Sequence, residues 1–165
     1  MIVAADGLIV TCNHVIEGGR TVTITLSDGR HFEASTLLAN READLAVLRI
    51  AATGLPAAAL GNSDPQPGDF VMAIGAALGQ GQSVSFGIVS ALHRDFPGTK
   101  RHADLIQTDA LLDAGSSGGP LLNLNGELIG INAARAGDGT DRGFGFAIPI
   151  DQVRSVMSKA ATANF

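Results

Sequence analysis

Short apolar or alternating runs are cut every few residues by glycine, aspartate or asparagine, and this punctuation leaves room for strands but little for helices. Residues 21–26 alternate with the period of two that turns one face of a strand inward. Ser27-Asp28-Gly29-Arg30 follows. Asp-Gly tolerates the positive φ of a tight hairpin, so residues 31–38 read as the returning strand. Residues 2–4, 8–11 and 45–50 bring the first third to five expected strands. Residues 51–68 are rich in Ala, Gly and Pro and read as a linker between two lobes. The second half repeats the style, with strands expected at 70–74, 84–92, 105–108, 120–124, 127–132 and 144–148 and a hairpin at Asn125-Gly126. Residues 75–82, 94–103 and 135–142 read as loops. Only the tail changes period. Val153, Val156, Met157 and Ala160 lie three and four apart, which predicts a helix over about 151–162 with Asp151 as its cap. The fold class expected is all-β: two antiparallel β lobes, about 1–60 and 68–149, and a C-terminal helix.

Composition narrows the function. With 21 glycines among 165 residues, tight turns and close backbone approaches are affordable in number. The net charge of −5 has no basic patch to offset it, which argues against nucleic-acid binding. No apolar run reaches membrane-spanning length, so no membrane insertion is expected. Residues 1–7 lack the basic start and long apolar run of a secretory leader. The one cysteine, Cys12, cannot form an internal disulfide.

Three local patterns carry chemistry. Gly115-Ser116-Ser117-Gly118-Gly119-Pro120 can place a serine on a tight turn whose N–H groups converge. A serine hydroxyl needs a neighbouring base and a site for the oxyanion formed after attack. The N–H groups of Gly115 and Ser117 would be those donors. Alone, such a run is as often an ordinary loop. His14 follows directly on an apolar strand; a lone histidine there would more often be a surface or capping residue. Asp44 opens a strongly apolar strand and so is expected to be buried and paired. Together, His14, Asp44 and Ser117 occur in the chain order of chymotrypsin-like enzymes, two in the first lobe and one in the second.

The segments Gly7-Leu8-Ile9-Val10-Thr11-Cys12-Asn13-His14-Val15, Ala43-Asp44-Leu45-Ala46-Val47, Ile106-Gln107-Thr108-Asp109-Ala110, Gly115-Ser116-Ser117-Gly118-Gly119-Pro120-Leu121, residues 125–132 and residues 143–149 resemble the HtrA/Deg family of trypsin-like serine proteases. The resemblance runs nearly the length of the chain. It implies a chymotrypsin-type pair of six-stranded-type β-barrels and ATP-independent endoproteolysis of unfolded or misfolded polypeptides without a cofactor. It implies a periplasmic or envelope location, protein quality control, and a homotrimer. It also implies His14 as general base, Asp44 as its orienting carboxylate, Ser117 as nucleophile, and Ser116 joining Gly115 and Ser117 in the oxyanion hole. Ala133, Ala134 and Arg135 would pair with substrate backbone, while Leu112, Ala114 and the 135–144 loop would shape the specificity pocket.

The sequence departs from the family in places. Relatives usually begin with a further strand before the position of Met1, so the first barrel is expected one strand short, which weakens the homotrimer implication. No PDZ domain is expected after Phe165. Ser116 stands where Asn is usual, Asp113-Ala114 replaces Asn-Pro, and Cys12 stands where Asn or Ala is frequent; Cys12 reads as a small buried hydrophobe. Asp109 reads as structural, and His31, His93 and His102 as surface histidines. No Cys/His spacing suggests a metal site, and residues 75–81 lack the lysine of a phosphate loop. The competing function is a protease-fold binding or chaperone-like domain that holds extended segments with little or no cutting.

Overall fold

The computed structural model describes residues 1–19, 21–61, 64–76, 81–95, 104–113, 115–135 and 143–162, with the side chains of 134 and 135 excepted. Eleven strands and two helices follow in order: β1 (Ile2–Ala4), β2 (Leu8–Cys12), α1 (Asn13–Ile16), β3 (Val22–Thr25), β4 (His31–Asn40), β5 (Leu45–Arg49), β6 (Phe70–Gly75), β7 (Ser83–Arg94), β8 (Leu105–Thr108), β9 (Pro120–Asn123), β10 (Leu128–Arg135), β11 (Gly145–Pro149) and α2 (Ile150–Thr162). The expectations on Ala114, His102, most of the 94–103 loop and the 136–142 loop fall outside the described residues.

The first five strands form one curled sheet in the order β1-β2-β5-β4-β3, and the last six close into a barrel, β10-β11-β8-β7-β6-β9. Both hairpin readings hold, with Gly29 at φ 85° and Gly126 at φ 76° supplying the turns. Among the described residues the first sheet stays open, since β1 pairs only with β2 and β3 only with β4. A groove of about 710 Å³ lies between these edges, lined by Ile2, Ile9, Val22, Ile24 and Leu48 among others, and His14, Asp44 and Ser117 are not in its lining.

Three apolar clusters hold the chain. Ile9, Ala46, Leu48, Ile50 and Leu55 fill the first sheet, and Val71, Val89, Ile106, Leu121 and Ile129 fill the barrel. A third joins the two: Val10, Leu45 and Val47 meet Leu105, Leu128, Ile131 and Ile148, with Val153, Val156 and Ala160 of α2 closing over them. Helix α2 touches β4 and β5 as well as β10 and β11, and Arg154 donates to Gly61 O in the linker at 2.8 Å. Leu128 N donates to Ala59 O and Gly61 N to Leu128 O, which sews the linker to the start of β10.

Two local readings differ from the sequence expectation. The helix starts at Ile150, so Asp151 lies inside the first turn, where its charge suits the positive end of the helix dipole. Residues 13–16 form a single short helical turn, too brief for any periodic signal.

Candidate active site

Strand β2 runs antiparallel to β5 with Cys12 opposite Leu45. Continuing that ladder by one step places Asn13 opposite Asp44, and Asn13 N donates to Asp44 O at 2.9 Å. The chain then turns into α1, and His14 comes to lie over the Asp44 carboxylate. Oδ1 accepts the His14 backbone N–H at 2.9 Å, while Oδ2 lies 2.6 Å from His14 Nδ1. Asp44 is 4% exposed and has φ 51°, a left-handed conformation uncommon for a non-glycine residue. Such backbone strain persists where surrounding bonds over-determine it, here three bonds to two adjacent residues.

The carboxylate raises the His14 pKa above its ordinary value. The hydrogen bond to Asp44 is the main cause and the charges of Asp44 and Glu17 add to it, against partial burial. Cys12, fully buried behind the pair, donates to Asn132 O at 3.3 Å. Its thiol is pushed up to about 12, first by burial and then by the Asp44 charge. Cys12, His14 and Asp44 also place one potential metal ligand each within 4.8 Å of one another. Asp44 Oδ2 and His14 Nδ1 are engaged with one another at 2.6 Å.

Ser117 arrives from the barrel, on the loop between β8 and β9. Backbone bonds from Ser116 N to Asp113 O (2.9 Å) and from Gly119 N to Ser116 O (3.0 Å) fold that loop tightly. The Ser116 N–H, expected as a third oxyanion donor, is therefore engaged within the loop. The difference arises from the turn itself, which bonds residues three apart. Among the described residues, the N–H groups of Gly115 and Ser117 have no acceptor. Gly115 takes φ 97°, and its carbonyl accepts from Ala76 N at 3.1 Å.

Gly118 presses the loop onto the end of β2. At φ 81°, a Cβ there would lie 2.2 Å from Thr11 Oγ1 and 3.3 Å from Cys12 N. On the other side, Gly118 N donates to Asn132 O at 2.8 Å and Asn132 N to Gly119 O at 2.9 Å. The loop is thus wedged between the strand that leads to His14 and strand β10. The Ser117 hydroxyl donates to Ala133 O at 3.0 Å, and no hydrogen bond joins it to His14 among the described residues.

The remaining expectations fall as follows. Ala133 and Leu112 are buried, and Leu112 packs against Gly145, whose added Cβ would meet Leu112 Cδ1 at 2.5 Å. Ala134 and Arg135 continue β10 beside Phe146 and Gly145. Asp109 Oδ1 accepts from Ile88 N at 2.7 Å, a structural bond. His31 and His93 are exposed. The sequence reading missed Gly118 as a packing element and the Ser117–Ala133 bond. The glycine was visible in the motif, but its contact partner at Thr11 was not.

Comparison with known proteins sets this geometry among relatives. A family model described as a trypsin-like peptidase domain matches residues 1–131. The periplasmic serine endoprotease DegP of Salmonella typhimurium is 44% identical over 159 residues, covering 94% of this chain and 34% of that protein. The putative serine protease HhoA of Synechocystis is 42% identical over 169 residues, covering 99% of this chain and 42% of that one. Among solved structures, the HtrA-type protease AlgW with a decapeptide superposes with TM-score 0.92 at 42% identity, covering 98% of this chain and 50% of that one. The serine endoprotease from Yersinia pestis gives TM-score 0.85 at 38% identity, covering 97% and 56%. The chain thus spans about a third to two fifths of the length of these curated relatives.

Proposed function

The chain belongs to the trypsin-like peptidase domain family, as a serine protease of the HtrA/DegP type, and from that premise we propose that it is an endopeptidase cleaving unfolded or misfolded polypeptides through His14, Asp44 and Ser117. The observation that carries the reading is the Asp44 carboxylate, buried and held by both the ring and the backbone of His14.

In the proposed reaction the Ser117 oxygen attacks the scissile carbonyl carbon while His14 Nε2 takes the hydroxyl proton. Asp44 fixes the tautomer with Nδ1 protonated and stabilises the imidazolium that results. The N–H groups of Gly115 and Ser117 receive the oxyanion, with Ser116 serving through its place in the loop that aims them. The C–N bond then breaks, His14 returns the proton to the leaving amine, and water hydrolyses the acyl-enzyme by the same steps. Backbone groups of Ala133, Ala134 and Arg135 pair with the substrate as an added strand, and Leu112 lines the pocket for a small or medium aliphatic side chain. The relatives named periplasmic support a periplasmic or envelope setting; among the described residues no helix is long and apolar enough to cross a membrane.

The test is labelling by a fluorophosphonate, which reacts only with activated serines, alongside casein cleavage. Labelling and cleavage are expected in the parent chain and absent in Ser117→Ala of unchanged fold. A folded Ser117→Ala variant that still cleaves casein would overturn the assignment.

A further inference from the structure

We propose that the backbone carbonyl of Ala133 restrains the Ser117 hydroxyl until a polypeptide N–H takes over that carbonyl, so that the substrate's own backbone releases the nucleophile. This rests on the protease reading above and adds a gate to it.

The restraint is built from an irregularity in β10. Its ladder with β11 slips between Asn132 and Ala134, where Asn132 faces Ala147 and Ala134 faces Phe146. Ala133 is the residue left over, a β-bulge. In a regular strand successive carbonyls point to opposite sides. Here Asn132 O accepts from Gly118 N and Ala133 O accepts from the Ser117 hydroxyl, so two successive carbonyls address the same loop. The pairing of β10 with β9 ends at Ile131 opposite Pro120. Beyond Asn132, that edge of β10 has no strand beside it among the described residues. An open backbone edge thus begins at the nucleophile.

The energetics give the edge its gating role. Ala133 is buried, at 3% exposed. If the Ser117 hydroxyl turned towards His14 unaided, it would give up its hydrogen bond to the Ala133 carbonyl, which costs the net worth of that bond. An extended polypeptide on the edge supplies an amide N–H to that acceptor. The cost of turning then vanishes, and the hydroxyl is free to bond to His14 Nε2. The substrates favoured are acyl donors with a backbone N–H beside the reacting carbonyl. Electrophiles without one meet a restrained serine.

Inactivation kinetics on the whole chain test the gate. A peptidyl diphenyl phosphonate with an aliphatic residue at phosphorus is compared with its isosteric analogue, in which that residue's N–H is replaced by oxygen, and with a fluorophosphonate lacking any peptide. The gate requires kinact to fall about tenfold for the oxygen analogue, the ratio of one hydrogen bond lost. The fluorophosphonate, whose fluoride leaving group makes it intrinsically more reactive, reports only whether Ser117 is activated. Equal kinact values, with only KI changed, would mean that Ala133 merely holds substrate and would overturn the proposal. Failure of all three reagents on folded protein would instead remove the protease reading, and the gate with it.

Discussion

Asp44 grips His14 twice, with Oδ2 on the ring nitrogen Nδ1 at 2.6 Å and Oδ1 on the backbone N–H at 2.9 Å. One carboxylate therefore fixes both where the imidazole sits and which nitrogen carries the proton. Asp44→Asn separates these roles. The amide oxygen can still accept from the His14 backbone, but its NH₂ group opposes Nδ1–H and favours the wrong tautomer. The fold should survive, with an unchanged circular dichroism spectrum, while kcat/KM on a chromogenic peptide drops by roughly ten-thousandfold. Activity within tenfold of the parent would show that Asp44 does not orient the base.

The same pair sets the pH dependence. Its hydrogen bond to Asp44 raises the His14 pKa above the ordinary value of about 6.5. In the proposed reaction His14 must be neutral to accept the Ser117 proton, so the acid limb of kcat/KM should lie above that value and activity should rise through it. Stability runs the other way. A raised folded-state pKa stabilises the fold fully below the unfolded-state value, and that contribution is lost as pH rises through the folded-state value. NMR titration of the His14 ring should show the raised midpoint, and Asp44→Asn should lower it. A midpoint at or below the ordinary value would contradict the arrangement.

Gly118→Ala tests the wedge between the loop and β2. The new methyl would carry a positive φ and press on Thr11 Oγ1 at 2.2 Å. Strain and overpacking together should cost about 2–5 kcal/mol, measured by urea denaturation. The serine should also lose its fluorophosphonate labelling, because the loop must move away from His14. A variant of parental stability would mean that the loop does not bear on Thr11.

Cys12 should be chemically silent. Its burial and a thiol pushed to about 12 predict no alkylation by iodoacetamide in the native state at pH 8 and full alkylation in denaturant. Mass spectrometry distinguishes the two, and native alkylation at a matching rate would disprove the burial.

Much of this was legible in the sequence because it depends on neighbours in the chain. Asp28-Gly29 and Asn125-Gly126 announced their hairpins through a conformational need that glycine meets locally. The stripe from Val153 to Ala160 announced α2 through its spacing. Asp44 announced its burial by opening an apolar strand. What stayed hidden depends on distant contacts. The bulge at Ala133 has no composition of its own; it follows from how β10 meets β11 on one side and the Ser117 loop on the other. The engagement of Ser116 N by Asp113 O likewise depends on how the loop closes, and a run of glycines and serines is compatible with many closures.

Helix α2 gives the chain's far end an unexpected responsibility. Its thirteen residues rest on both sheets, and Arg154 reaches back to the linker that joins them. His14 and Asp44 stand at the end of one sheet and Ser117 on a loop of the other, so the gap between the proposed base and nucleophile is a distance between two bodies. The helix works as the brace that sets this distance. Shortening the chain there would alter alignment at His14 without touching any residue near it.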